Sequence, residues 1–428
     1  MKIKRDNKII MNDTIDITLK DAKKGEVTYK YITYMDKFKD MKPWLSIDAT
    51  DWKYIKDTWD EDTVKESLTV LLCTYDFPFK DITKTDVRDD FKKLCEIDIT
   101  DMTVVDEWFS KSNFNAKMDK TLLKGSNKGN QSSDYFHQGN RYQTELENSP
   151  SQIRVWNTPS MMRTLVNCFF TMKYEVIDKA KTRSALALRK GVASQFKPSI
   201  AKWVYDNYKA ENILDTSMGW GDRLAGFYAS DAKDYVGIDP NSNLHKGYNA
   251  QSYVYGRLLE ENGKENDKTT TFIESPAEDA DLSKYENHFD LMFTSPPYFN
   301  REQYTKDDTQ SWVRHRAIAD WLNEFLFKMI DNITPTIKSG GHLMINITDV
   351  CSTSKGTKGK GWLQITQPML DFVEQTGKWE FVKVMGYKMA KKPNLKSVGT
   401  GVMSNGVPLE KFNGDYSYGE PVFIWKKK

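Results

Sequence analysis

The segment Thr294-Ser295-Pro296-Pro297-Tyr298 follows a short apolar run, Phe289-Asp290-Leu291-Met292-Phe293. These residue types suit gripping a planar group that bears an exocyclic amine. Each proline fixes φ and lacks an N–H, so the loop is stiff and its carbonyls stay free to accept hydrogen bonds. Ser295 adds a polar side chain, and Tyr298 offers a face on which a base can stack. A rigid turn after a buried strand has the same composition, so the surrounding sequence must decide.

A second constellation lies upstream. Ile213-Leu214-Asp215-Thr216-Ser217-Met218-Gly219-Trp220-Gly221-Asp222-Arg223-Leu224 reads as a strand, a glycine turn and a helix start. Gly219 and Gly221 let the backbone pass close to a ligand. Twenty residues after Gly219, the strand Tyr235-Val236-Gly237-Ile238 ends in Asp239, where a carboxylate can accept both ribose hydroxyls of an adenosine. A dinucleotide fold wants a third glycine three residues after Gly221, and Leu224 stands there. Asp215 and Asp222 flank the turn; they would repel a pyrophosphate and welcome the amino group and sulfonium of S-adenosylmethionine. That cofactor is therefore expected ahead of NAD or FAD. A third strand ends at Phe272-Ile273-Glu274-Ser275, and the following Glu278 and Asp279 could accept the adenine amino group. A helix cap at Ser275 or Asp279 is an equal alternative.

These groups need a scaffold. Apolar strand candidates fall at 212–216, 234–239, 270–275, 289–294, 342–348, 379–389 and 421–426, with helical stretches between most of them. The clearest helix spans 317–333, where Ile318, Trp321, Leu322, Phe325, Leu326, Met329, Ile330 and Ile333 share one face; Gly340-Gly341 is expected to stop the connection before the next strand. Alternating strands and helices predict an α/β fold with a mostly parallel sheet covered on both faces. The last two strands have no helix between them and are expected to pair antiparallel. Residues 123–151 are rich in Gly, Ser and Asn and read as loop or linker. The chain is thus divided into an N-terminal accessory domain with linker, 1–150, mixed or mainly helical, and a second domain, 151–428.

Composition narrows the classes. The four cysteines are scattered without a C-x-x-C pair, and there are only five histidines, so no metal site is expected. No apolar run is long enough to span a bilayer and no signal-peptide pattern opens the chain; a soluble, intracellular, cytoplasmic protein without membrane contact is expected. Within a net charge of +2, residues 351–428 carry 13 Lys against 6 Asp/Glu. A polyanionic partner near that segment is one reading, and an ordinary solvated surface is the other.

In their order, these motifs resemble the S-adenosylmethionine-dependent amino-methyltransferases of DNA, which methylate adenine N6 or cytosine N4. The match covers about residues 190–428. Asp215 to Gly221 resembles the family's cofactor motif, Asp239 its ribose acid, Gln195 to Ser199 the segment before the cofactor strand, and Ser295-Pro296-Pro297-Tyr298 its catalytic tetrapeptide. The resemblance implies a Rossmann-like class I methyltransferase sheet of seven strands, the last antiparallel. It implies cofactor contacts from Phe196, Pro198, Asp215, Ser217, Gly219, Gly221, Asp239, Glu278, Asp279 and Thr294. Ser295, Pro296, Pro297 and Tyr298 would be catalytic, and Ser295 leans toward cytosine. The expected partner is DNA, either duplex with its base flipped out or single-stranded. Arg301 and Tyr304 at the rim, and Lys355, Lys358, Lys391 and Lys392 in later loops, are candidates for touching the nucleic acid; ordinary solvated loop residues are the other reading. The family's separate recognition domain is not evident. Methylation of RNA or a protein amide, and an inactive nucleic-acid-binding module, are the alternatives.

Overall fold

The computed structural model describes residues 13–147, 149–189, 191–352, 361–389 and 417–428. The chain forms two compact units, one of residues 1–81 and 141–193, the other of residues 82–140 and 194–428. The division differs from a single boundary at 150. Residues 82–140 belong to the larger unit, because they supply strands and helices to it.

In the larger unit, strands β1 (Thr103–Val105), β2 (Trp108–Phe109), β3 (Met118–Leu123), β4 (Asn212–Asp215), β5 (Asp234–Ile238), β6 (Thr269–Ile273), β7 (Phe289–Thr294), β8 (Ile337–Asn346), β9 (Trp379–Lys388) and β10 (Ser417–Lys427) build one ten-stranded sheet. Its order is β1-β3-β9-β10-β8-β7-β4-β5-β6, with β2 beside β10. Strands β6, β5, β4, β7 and β8 run parallel, while β10 is antiparallel to both β8 and β9. The seven expected strands and the antiparallel last strand are therefore present. Two further strands from residues 82–140, β3 and then β1, extend the edge beyond β9, and a third, β2, pairs with β10.

Helices cover both faces. Met292 and Phe293 are neighbours in β7 and so point to opposite sides. Phe293 meets Tyr205 of α3 (Pro198–Asn207) with ring centroids 6.2 Å apart. Met292 joins a buried cluster with Trp321, Phe325, Met329, Ile330 and Ile333. The expected face of 317–333 is thus the buried one, with Ile318 and Leu322 only partly covered. Its middle turn, Leu322–Phe327, is a π-helical widening, a feature that recurs beside functional sites.

Two local expectations fail. Gly340-Gly341 does not precede a strand but lies inside β8, where the register against β7 shifts between Phe289 and Leu291. Gly340 has φ +80° and a Cβ on Gly341 would sit 2.9 Å from the Asp290 carbonyl, so the pair makes a bulge. The stretch read as a linker contains helix α2 (Asn130–Gln143). Its small polar residues are held by partners distant in sequence: Ser132 Oγ lies 2.9 Å from Tyr255 Oη, and Asn130 Nδ2 donates to the Phe196 carbonyl at 2.7 Å. Tertiary hydrogen bonds override the weak local propensity. Helix α1 (Lys84–Cys95) likewise stacks Phe91 on Tyr255, centroids 4.3 Å apart.

The smaller unit pairs Thr14–Asp21 with Gly25–Ile32 in a hairpin and packs helices Ala49–Thr58, Glu61–Leu72 and Pro159–Thr171 around Tyr31, Trp52, Leu68 and Phe169. Among the described residues, no helix is long and apolar enough to cross a membrane.

Candidate active site

Strand β4 ends at Asp215, and the turn of residues 216–221 leads into α4 (Asp222–Ala229). Asp215 is fully buried. Arg223 donates to it from Nε at 2.8 Å and from Nη2 at 3.1 Å. Tyr235 Oη donates at 2.6 Å, Thr294 Oγ1 at 3.2 Å and the Ser217 N–H at 3.2 Å. Burial opposes the Arg223 charge, but Asp215 outweighs it and holds the guanidinium above its ordinary range. The carboxylate expected to meet the cofactor is therefore consumed inside the protein. It fastens the turn, β5 and the end of β7 to one point.

The two glycines of the turn do different work. Gly221 has φ +68°, and a Cβ there would lie 2.1 Å from Gln251 Oε1; it is small because a side chain packs on it. Gly219 has φ +57°, and a Cβ would meet nothing nearer than the Ser217 carbonyl at 3.9 Å, so this glycine opens onto space. Its N–H donates to Asp239 Oδ2 at 2.9 Å and its carbonyl accepts from Tyr248 Oη at 2.6 Å. Asp239 Oδ1 accepts from the Asn241 N–H at 2.9 Å. Each oxygen thus keeps acceptor capacity for a further donor. Burial raises the Asp239 pKa, against the pull of the Asn241 and Gly219 N–H groups.

At the end of β7, Thr294 is buried and turned toward Asp215, while Ser295 is half-buried. Tyr298 Oη donates to Glu420 Oε1 at 2.8 Å, and Tyr387 Oη donates to Glu420 Oε2. Burial, and then the Glu420 charge, hold the Tyr298 phenol well above its usual pKa. Burial likewise raises the Glu420 carboxyl. Phe299 follows with φ +54°, a costly conformation for an aromatic residue. Its ring is buried against Trp321, centroids 6.0 Å apart.

Both constellations line one cavity of about 440 Å³, within the usual range of small-molecule pockets. Of the residues singled out from sequence, Phe196, Ser217, Gly219, Asp239, Glu278, Ser295, Pro296, Pro297, Tyr298, Arg301 and Tyr304 line it. Glu278 Oε1 accepts from Arg314 Nη1 at 2.6 Å, while its buried Oε2 has no partner. Pro198, Asp215, Gly221, Asp279 and Thr294 do not line the cavity. Pro198 opens α3, and Asp279 pairs outward with Lys328 and Arg314. Tyr304, expected at the rim, is engaged inside: its hydroxyl donates to Glu302 at 2.5 Å and its ring meets Trp220 at 5.6 Å. Arg301 is exposed. Lys355, Lys358, Lys391 and Lys392 lie outside the described residues.

Sequence reading missed Trp220, Lys111, Tyr387 and Glu420, all of which line the cavity. Trp220, between the two glycines, carried a signal: a large aromatic in a ligand turn. The other three come from distant segments and carried none.

No family model matches the chain, and no curated protein matches it. Solved structures to which the chain is similar include a putative S-adenosylmethionine-dependent methyltransferase from Listeria monocytogenes, 9% identical, covering 54% of this chain and 99% of that one at TM-score 0.29. A geranyl diphosphate methyltransferase in complex with SAM is 10% identical, covering 58% of this chain and 90% of that one at TM-score 0.32. TrmN from Thermus thermophilus is 9% identical, covering 54% of this chain and 49% of that one at TM-score 0.30. Likeness at this level assigns no activity or substrate.

Proposed function

We propose that the chain is an S-adenosylmethionine-dependent methyltransferase acting on the exocyclic amine of a base in DNA, adenine N6 or cytosine N4. The observation that carries the reading is that Ser295-Pro296-Pro297-Tyr298 and the Gly219–Asp239 turn line a single cavity. Bound there, the cofactor would supply an electrophilic methyl group.

The residues present fit an adenosine-bearing cofactor. Asp239 would accept two ribose hydroxyls with its remaining lone pairs. The unpartnered Glu278 Oε2 would take the adenine amino group. Gly219 leaves room for the ligand to pass against the backbone. The cavity wall also carries the Phe196 face, over which Arg223 sits 5.3 Å from the ring centroid.

The amine of adenine or cytosine is a weak nucleophile, because its lone pair is delocalised into the ring. Ser295 Oγ and the Pro296 carbonyl would accept its two N–H bonds and draw the nitrogen toward tetrahedral geometry. Tyr298 would stack on the base, its ring held in place by the hydroxyl bond to Glu420. Orientation of this kind supplies on the order of 7–11 kcal/mol in favourable cases. A duplex base reaches such a pocket only by leaving the stack. Arg301, exposed at the rim, would meet the target strand.

The test is incubation with methyl-labelled S-adenosylmethionine and, separately, duplex DNA, single-stranded DNA, RNA or a protein extract. Nucleoside mass spectrometry of labelled DNA should show N6-methyladenine or N4-methylcytosine. Label in RNA or protein alone would overturn the substrate.

A further inference from the structure

The methylated nitrogen begins with two protons and must finish with one. The loop that grips it offers a prolyl carbonyl and a hydroxyl, neither of which is a base strong enough to retain a proton. Glu420 is the carboxylate tied to this loop. It lies near the start of β10, and because β10 is antiparallel, that end meets the edge at which β7 and β8 finish. Tyr387 is its direct cross-strand partner in β9.

Resting on the function proposed above, we propose that Glu420 is the terminal proton acceptor of the methyl transfer, reached from the substrate amine through Ser295 and Tyr298. Ser295 and Tyr298 lie three residues apart in the loop and line the same cavity, and Tyr298 Oη lies 2.8 Å from Glu420 Oε1. The N–C bond forms as the sulfonium–methyl bond breaks, and that bond's electron pair stays on sulfur. The surplus proton passes from nitrogen to Ser295 Oγ. Ser295 passes its own proton to Tyr298 Oη, and Tyr298 passes its own to the carboxylate. The sulfonium charge and the Glu420 charge disappear together, so the cavity gains no net charge. Exchange with solvent then resets Glu420, which is half-buried rather than sealed.

The groups acting on Glu420 are Tyr298 from the catalytic loop, Tyr387 from β9, Tyr418 from its own strand, Lys111 from the segment joining β2 to β3, and Glu302 beyond the loop. Tyr387, Tyr298 and Lys111 favour the carboxylate, while burial opposes it. A carboxylate that merely anchored the Tyr298 ring would do so through hydrogen bonds alone. Glutamine would keep one acceptor for that task but could take no proton.

The test compares wild type, Glu420→Gln, Glu420→Asp and Tyr387→Phe, with labelled S-adenosylmethionine and unmethylated duplex or heat-denatured DNA. Single-turnover rates are measured against pH, and carboxyl titrations are followed by NMR on protein carrying ¹³C-labelled glutamate. In wild type, the rate should rise with pH through one ionisation that matches the resonance missing from Glu420→Gln. Glu420→Gln should lose at least about 100-fold in rate and lose that acid limb. Glu420→Asp should recover part of both. Tyr387→Phe removes a donor that favours the carboxylate, so the limb and the resonance should move together to higher pH. An unchanged acid limb in Glu420→Gln, or a resonance that fails to track the limb in Tyr387→Phe, overturns this inference alone. Tyr387→Phe keeps Glu420, so the test survives a misfolded Glu420→Gln. Absence of methyl transfer to any nucleic acid by wild type defeats the functional reading and this inference with it.

Discussion

Replacing Arg223 with Met should strand a buried charge. Arg223 is 4% exposed and Asp215 fully buried, joined through two hydrogen bonds of 2.8 and 3.1 Å. In the variant, Asp215 keeps Tyr235, Thr294 and the Ser217 N–H as donors, but no cation remains against it. Removing one partner of a buried pair costs about 3–5 kcal/mol, because the other charge stays desolvated. The contact of Arg223 over Phe196 adds about 0.5–1 kcal/mol. Against a total of roughly 5–15 kcal/mol, that is a large share. With two units in one chain, a single unfolding curve would mix transitions. Native-state hydrogen exchange of β4 and β7 amides reads the larger unit directly. At 1.4 kcal/mol per tenfold, Arg223→Met should speed exchange of those amides about 10²- to 10⁴-fold. The double variant Asp215→Leu/Arg223→Met removes both charges and should recover more than half of the loss. A cost under about 1 kcal/mol in the single variant, or a double variant as unstable as the single, would refute the clamp assigned to Asp215.

Ser295→Ala and Tyr298→Ala should each cut methyl-transfer turnover by about 10²-fold or more while calorimetry shows S-adenosylmethionine binding within a few-fold of wild type; wild-type turnover in both variants sinks the mechanism. Asp239→Ala removes the acceptor for two hydroxyls, each worth about 1.5–3 kcal/mol when the acceptor is charged, so the cofactor should bind at least about 100-fold more weakly, and unchanged affinity removes the ribose assignment. His137 is buried, donates to Gln251 Oε1 at 3.1 Å, and through Gln251 Nε2 supports the Gly221 carbonyl. Burial pushes its pKa down from 6.5 to about 4. The unfolded chain therefore takes up a proton between those values and the native one does not, so stability of the larger unit should be lost progressively as pH falls from about 6.5 to about 4. Native-state hydrogen exchange of α2 and β4 amides, corrected for the intrinsic pH dependence, should report falling stability across that range, and His137→Gln should flatten this part of the profile; parallel profiles would refute it.

Much of the architecture was legible because its signals are local. Short apolar runs, the helical face from Ile318 to Ile333, and the φ demands of Gly219 and Gly221 are each expressed within a short stretch of chain. The loop from Ser295 to Tyr298 was legible for the same reason: two adjacent prolines stiffen it wherever it lies. The strands of residues 82–140 and helix α2 were not legible, since strands of two to six residues carry little pattern and α2 depends on partners such as Tyr255.

By itself the sequence determined the alternation of strands and helices, the glycine turn, the acid after β5 and the stiff loop after β7. Only the tertiary structure decided which carboxylates are available. Asp215, Asp239 and Glu420 look alike as residues, and their fates are set by what desolvates them and what donates to them. Arg223, in the first turn of α4, reaches back across the glycine turn and neutralises Asp215. Backbone N–H groups leave Asp239 with spare lone pairs. An antiparallel strand brings Glu420 across more than a hundred residues to the hydroxyl of Tyr298.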